Sequence, residues 1–172
     1  MTLTFSRSAT AFAALAAAGL LAAGCSSSSH PSAATPSVSA TTAAAPVPKA
    51  LIKQYLDSEK TVLTAIKTGA DKIKALKQPA SASDVLAALT PMENATKTFD
   101  QQLVAMPWPD ALKSKVSALH DADTAWLNAA AGLNGLTGTV PRGKVTDTLD
   151  KPYDQQVAAV DHLRAAMNLP AL

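Results

Sequence analysis

The chain has 172 residues, with 15 Lys and Arg against 13 Asp and Glu, and 48% apolar side chains of which few are aromatic. A formal charge of +2 gives no field strong enough to gather nucleic acid or to hold the chain on an anionic surface. A single Cys excludes an internal disulfide, and with it the small secreted scaffolds that depend on such bridges.

The N-terminus reads as an export signal. Residues 1–8 carry one charge, Arg7, and Ala9 to Leu21 carry none before the run Leu21-Ala22-Ala23-Gly24-Cys25. A basic start, a short apolar stretch and small residues before a cut site make a secretory signal peptide over residues 1–24. The apolar run is too short for a bilayer, which needs about 20 residues. The segment LAAGC resembles the bacterial lipobox, in which the Cys becomes the lipidated first residue; Ala23 and Gly24 fit it, and Ala22 stands where Leu is commoner. That resemblance implies a lipoprotein with acyl chains of the palmitate kind on Cys25, partnered with the cell membrane and exposed on its extracytoplasmic face. Stable attachment takes two or more chains, at ~0.8 kcal/mol per buried CH₂, and a diacylated Cys25 meets that requirement alone. The alternative, ordinary secretory cleavage, leaves an unpaired thiol in an exported protein. Loss of Arg7 leaves 14 basic side chains against 13 acidic, so no nucleic-acid partner is expected.

Residues 25–47 form a stalk. After Cys25 the stretch SSSSHPSAATPSVSATTAAAPV has no charged residue, and Val38 and Val47 are its only large apolar ones. It cannot bury enough surface to offset ordering entropy, so disorder is predicted. As a flexible coil it spans roughly 25–30 Å. Ser and Thr beside Pro also suit O-glycosylation, and His30 reads as a solvated side chain.

Residues 48–172 suffice for one domain with a core. Apolar spacing of three and four predicts four amphipathic helices. The first, from Pro48 to about Lys77, has the seam Ile52, Tyr55, Glu59, Val62, Ile66, Gly69, Ile73 and Leu76. The second, from about Ser83 to Met106, follows a capping pair, Ser81 and Asp84, and carries Leu86, Leu89, Met92, Thr96, Phe99, Leu103 and Met106. Pro91 within it predicts a kink or a late start, and Pro107-Trp108-Pro109 forces a corner. The third, from about Asp110 to Leu136, has Leu112, Val116, Leu119, Asp123, Trp126, Ala130 and Leu133 on one side. After the loop LTGTVPRG, the fourth runs from about Lys144 to Met167 through Val145, Leu149, Tyr153, Val157, Val160 and Leu163, with a bend expected at Pro152. Short connections predict an all-α, up-down-up-down four-helix bundle behind the signal peptide and stalk. A three-helix core crossed by the first or last helix is the alternative.

Chemistry is sparse. Glu59 and Asp123 interrupt their seams at similar depth, and Thr96 and Gln156 fall near the same level. A mid-bundle polar layer of these four would suit a cation or a small polar ligand, since no Lys or Arg falls on the seams to neutralise the acids. Acids covered by Lys and Arg stems at the bundle edge are the plainer account. His120, Asp123 and His162 are the only set for a loose zinc or copper site, with surface histidines as the alternative. A di-iron bundle needs Glu-x-x-His twice and two further Glu, whereas Glu59 and Glu93 are the only Glu in the chain. There is no Gly-x-Ser-x-Gly elbow and no phosphate-cradling loop, so no catalytic residue is assigned. Trp108, between two prolines, is the candidate contact residue, or else a cap on the bundle end. Seven Lys on the first helix suit an anionic cell-wall polymer or simply a solvated face.

The ending VDHLRAAMNLPAL, with the lipobox and stalk, resembles small Ala/Thr-rich lipoproteins of actinobacteria, many of which end in small-x-x-Leu-Arg and then Leu-Gly-Leu-Pro-Pro; here Asn168 replaces the Gly. The resemblance implies location, not activity. Two readings follow: a non-enzymatic binding or interaction module facing a wall polymer or envelope protein, or a carrier of a metal ion or small polar ligand inside the bundle. Beyond covalent lipid, no cofactor is expected. An exposed apolar or basic face favours the first and an interior polar cavity the second.

Overall fold

In a computed structural model, residues 46–172 are described. The expected signal peptide, Cys25 and the expected stalk to residue 45 lie outside the described residues. Four helices dominate: α1 (Lys49–Ala75), α2 (Ala82–Ala105), α3 (Asp110–Ala131) and α4 (Arg142–Ala166). They pack as an all-α four-helix bundle; α1 lies closely on α2 and α4 on α3, α2 meets α3 more loosely, and the backbones of α1 and α4 stay further apart. Val47, expected in the stalk, already packs against the core.

The helix boundaries have local causes. Ser81 Oγ accepts from the Asp84 amide at 3.1 Å, satisfying one orphan donor at the start of α2. Pro48, Pro109 and Pro141 stand at the N-caps of α1, α3 and α4, each with an extended ψ and no side-chain cap. Pro91 and Pro152 do not interrupt α2 and α4, which run continuously through them. At the end of α4, Asn168 takes φ 59°, and the Asn168 and Leu169 amides bond back to Ala165 O at 3.0 Å and Arg164 O at 2.9 Å. This double closure needs a left-handed residue, a role for Gly or Asn. It explains why Asn168 can stand where similar endings have Gly.

The loops at one end hold structure that apolar spacing does not reveal. Ala80–Ser81 (β1) pairs antiparallel with Thr139–Val140 (β2), joining the α1–α2 and α3–α4 connections. Arg142 reinforces this tie: its guanidinium donates to Lys74 O at 2.8 Å, capping α1, and its amide donates to Gln78 Oε1 at 2.9 Å. LTGTVPRG is thus more than the plain loop expected of it, because its β2 residues form half of this ribbon.

The predicted seams hold for α3, all seven of whose positions are buried. In α1 and α2 the seams hold through the middle of each helix and slip by one residue only at the start. Leu51 and Val85 take the core positions assigned to Ile52 and Leu86, which are half-buried. In α4, Tyr153 and Val157 are half-buried while Gln156 and Ala159 face inward. Steps of four from Leu149 drift about 40° each, whereas Gln156, seven residues on, returns to the same face.

Gly69 marks a close approach of α1 to α2. A Cβ there would stand 2.9 Å from Ala88 O and would overlap the Met92 thioether. Gly69→Ala should therefore lower stability by ~1–3 kcal/mol, read from the denaturant midpoint. Gly135→Ala is the control, because a Cβ at Gly135 meets nothing within 4 Å.

Candidate functional site

All four residues of the expected polar layer lie inside the bundle: Asp123 and Thr96 are fully buried, Glu59 is 3% exposed and Gln156 is 4% exposed. Two packing contacts set the level of Thr96 against Glu59. Tyr55 meets Phe99 with ring centroids 6.1 Å apart, and Gly69 abuts Met92. Thr96, between Phe99 and Met92 on an antiparallel helix, therefore falls opposite the Glu59–Val62 turn.

The Glu59 carboxylate is fully engaged. Tyr55 Oη donates to Glu59 Oε1 at 2.7 Å, and Arg164 Nη1 donates to Glu59 Oε2. The expectation that no cationic side chain faces the seams is thus corrected. Arg164 lies beside Leu163, one position off the α4 seam, and its long stem carries the guanidinium inward until only 11% of the side chain is exposed. Tyr55 is the other residue missed. Its sequence signal is the four-residue step to Glu59 on one helix face. Burial, with Glu59 and Asp123 nearby, holds the Tyr55 hydroxyl protonated far above its ordinary range.

Asp123 is held differently. Gln156 Nε2 donates to Asp123 Oδ1 at 2.6 Å, and no Lys or Arg among the described residues pairs with this carboxylate. Burial, reinforced by the charge of Asp100, pushes its pKa up to about 7, against the opposing hydrogen bond from Gln156 and the charge of His120. Three atoms of the layer are buried without a hydrogen-bond partner: Thr96 Oγ1, Asp123 Oδ2 and Gln156 Oε1. Thr96 does not use the usual helical escape; Thr61, Thr64, Thr90, Thr98 and Thr148 each donate to the carbonyl four residues back, and Thr96 does not.

A crevice reaches this layer from the α1–α4 side. Glu59 and Gln156 form its floor, Val62, Leu63, Ile66, Phe99, Tyr153, Val157 and Val160 its walls, and Leu172 lies at its mouth. It leaves about 10 Å³ of free space, on the order of one water molecule.

The suggested metal set does not assemble. His120 Nδ1 meets Asp100 Oδ1 at 2.6 Å rather than Asp123, and this contact raises the His120 pKa. His162 is exposed on α4. Among the described residues no three His, Cys, Asp or Glu side chains gather to hold a metal ion. Trp108 is not an exposed contact: it is 7% exposed, donates its indole N–H to Leu103 O at 2.7 Å, and stands edge-on to Tyr55 with centroids 5.9 Å apart. It caps the bundle end. Glu93, off the predicted seam, is also buried, with Lys97 at 4.0 Å as its nearest cation.

No protein-family model, curated protein or solved structure matches this chain.

Proposed function

We propose that the protein is a lipid-tethered component of a bacterial cell envelope whose helical bundle holds a small polar-headed ligand in its interior without transforming it. One observation carries this reading: three helices present Thr96, Asp123 and Gln156 to the bundle interior with a polar atom of each unsatisfied, Gln156 bonded directly to Asp123. Buried polar groups normally find partners, and leaving one unmade costs ~1–3 kcal/mol. A ligand able to satisfy these atoms supplies what the bundle itself does not. The interior reading is favoured over a surface module because Val104 and Leu172 are the exposed large hydrophobics among the described residues. It is favoured over metal carriage because His120 is engaged by Asp100 and His162 is exposed on α4. Native mass spectrometry of the protein purified from its own host tests it. A co-purifying small molecule lost on replacing Gln156 supports the interior site; a co-purifying protein or polymer alone would sink it.

Attachment rests on Cys25 within LAAGC. No helix among the described residues is long and apolar enough to cross a membrane. In detergent phase separation the wild type should enter the detergent phase and Cys25→Ser the aqueous phase. Equal partitioning of the two would remove Cys25 as the anchor.

A further inference from the structure

We infer that the α1–α4 crevice binds a short aliphatic molecule with a hydrogen-bond-donating head, an alkylamine or alkanol, whose chain displaces Leu172 and whose head donates to Gln156 Oε1. The inference rests on the interior-ligand reading above and adds to it the entrance, the chemical class and the residue that reads the head.

The walls set the body of the ligand. Val62, Leu63 and Ile66 come from α1, Val157 and Val160 from α4, and Phe99 of α2 lies behind them. With Tyr153 of α4, which also lines the crevice, these side chains offer a chain mainly apolar contact. The gap exists because the α1 and α4 backbones stay apart.

The floor sets the head. Both oxygens of Glu59 are engaged, by Tyr55 and Arg164. The Gln156 amide nitrogen is committed to Asp123, while its Oε1 is buried and unpartnered. What the floor lacks is therefore a donor. A carboxylate head would bring a third acid group to Glu59 and Asp123 and offer Gln156 Oε1 nothing. An ether or hydrocarbon would leave it unsatisfied.

The mouth sets the route. After the turn at Asn168, the chain folds back along α4, and Leu172 reaches the crevice while remaining 44% exposed. This strap is held by Arg164 Nε donating to Pro170 O at 2.6 Å and by the Leu172 amide donating to Asp161 Oδ1 at 2.9 Å. Both contacts are exposed, where hydrogen bonds exchange readily with water. Lifting the strap releases Pro170 but leaves Arg164 on Glu59, so the entrance opens without dismantling the floor. With the strap closed, the crevice offers about 10 Å³ of free space. Removing Leu172 adds the volume of its isobutyl group, which sizes the ligand to a short chain.

The test uses the full-length protein and four probes of matched length: hexan-1-amine, hexan-1-ol, hexanoate and methyl pentyl ether. The amine and alcohol should bind, by calorimetry and by a raised melting temperature, at least tenfold more tightly than hexanoate and the ether. Val157→Trp fills the crevice from α4 without touching the polar network and should cost at least tenfold in alcohol affinity. Should that variant lose its helical circular dichroism, Leu63→Trp fills the same space from α1. Leu172→Ala removes the competing side chain and should tighten alcohol binding severalfold. Ether binding equal to alcohol binding, unchanged affinity in a folded crevice-filling variant, or no binding by any probe each overturns the proposal. Native mass spectrometry separates this failure from that of the broader reading: a host molecule retained by Val157→Trp but lost with Asp123→Asn places the ligand in the bundle and outside this crevice.

Discussion

Arg164→Ala is expected to destabilise the bundle by roughly 3–5 kcal/mol, because it strands a buried carboxylate. Glu59 is 3% exposed, and in the variant Tyr55 alone would remain to answer it. For a domain of this size that loss lowers the melting temperature by about 10–20 °C. The companion Glu59→Leu removes the charge as well, so the double variant should recover much of the loss. A double-mutant cycle on melting free energies isolates the coupling. If Arg164→Ala melts with the wild type, the ion pair is screened by water and Glu59 is not an interior group.

Asp123→Asn should change the pH dependence of stability more than its value in acid. The folded-state pKa of Asp123 lies near 7, above the ordinary 3.8. Between those values the folded chain holds a proton that the unfolded chain has released, so stability is full below about pH 4 and falls as pH rises through 7. The fall amounts to roughly 4 kcal/mol at most, at about 1.4 kcal/mol per pH unit. Groups around Asp123 include Gln156 and Tyr55, which do not charge in this window, and the Asp100–His120 pair. His120, with its pKa raised by Asp100, contributes in the same direction but above its ordinary 6.5. Asp71 and Asp110, with lowered values, act in the opposite direction and only in acid. The amide that Asp123→Asn introduces cannot ionise, so the variant should melt near the wild type at pH 4 and above it at pH 8. Parallel melting curves for the two proteins across that range would mean that Asp123 does not carry the proton.

The helices and the polar layer were legible in the sequence because both are matters of period. Glu59, Thr96 and Asp123 sit on steps of three and four that continue unbroken around them, and a polar residue on an unbroken apolar seam is buried with its neighbours. Gln156 was legible only by depth, since the seam drawn through Tyr153 and Val157 passes beside it. What period cannot show is reach. Arg164 lies off every apolar row, and only the length of its side chain brings it to Glu59. Nor can it show pairing between distant loops: Ala80 meets Val140 across 60 residues of chain, and two-residue strands leave no alternation to read. For Trp108, the flanking prolines fix the corner without saying which way the ring turns. The ring turns inward because its N–H finds Leu103 O.

The ribbon of β1 and β2 has a mechanical consequence. The bundle of the described residues consists of two leaves, α1 with α2 and α3 with α4, bound along a spine where α2 meets α3. The ribbon and the Arg142 contacts stitch the leaves together at one end, and towards the other end Arg164 reaches from α4 to α1 through its ion pair. Any separation of α1 from α4 would therefore pivot at the stitched end, and it would first have to break the Arg164–Glu59 pair. The two-residue ladder, with Ala80 and Val140 buried in the core, thus sets which end of the bundle is anchored by backbone and which by a single ion pair.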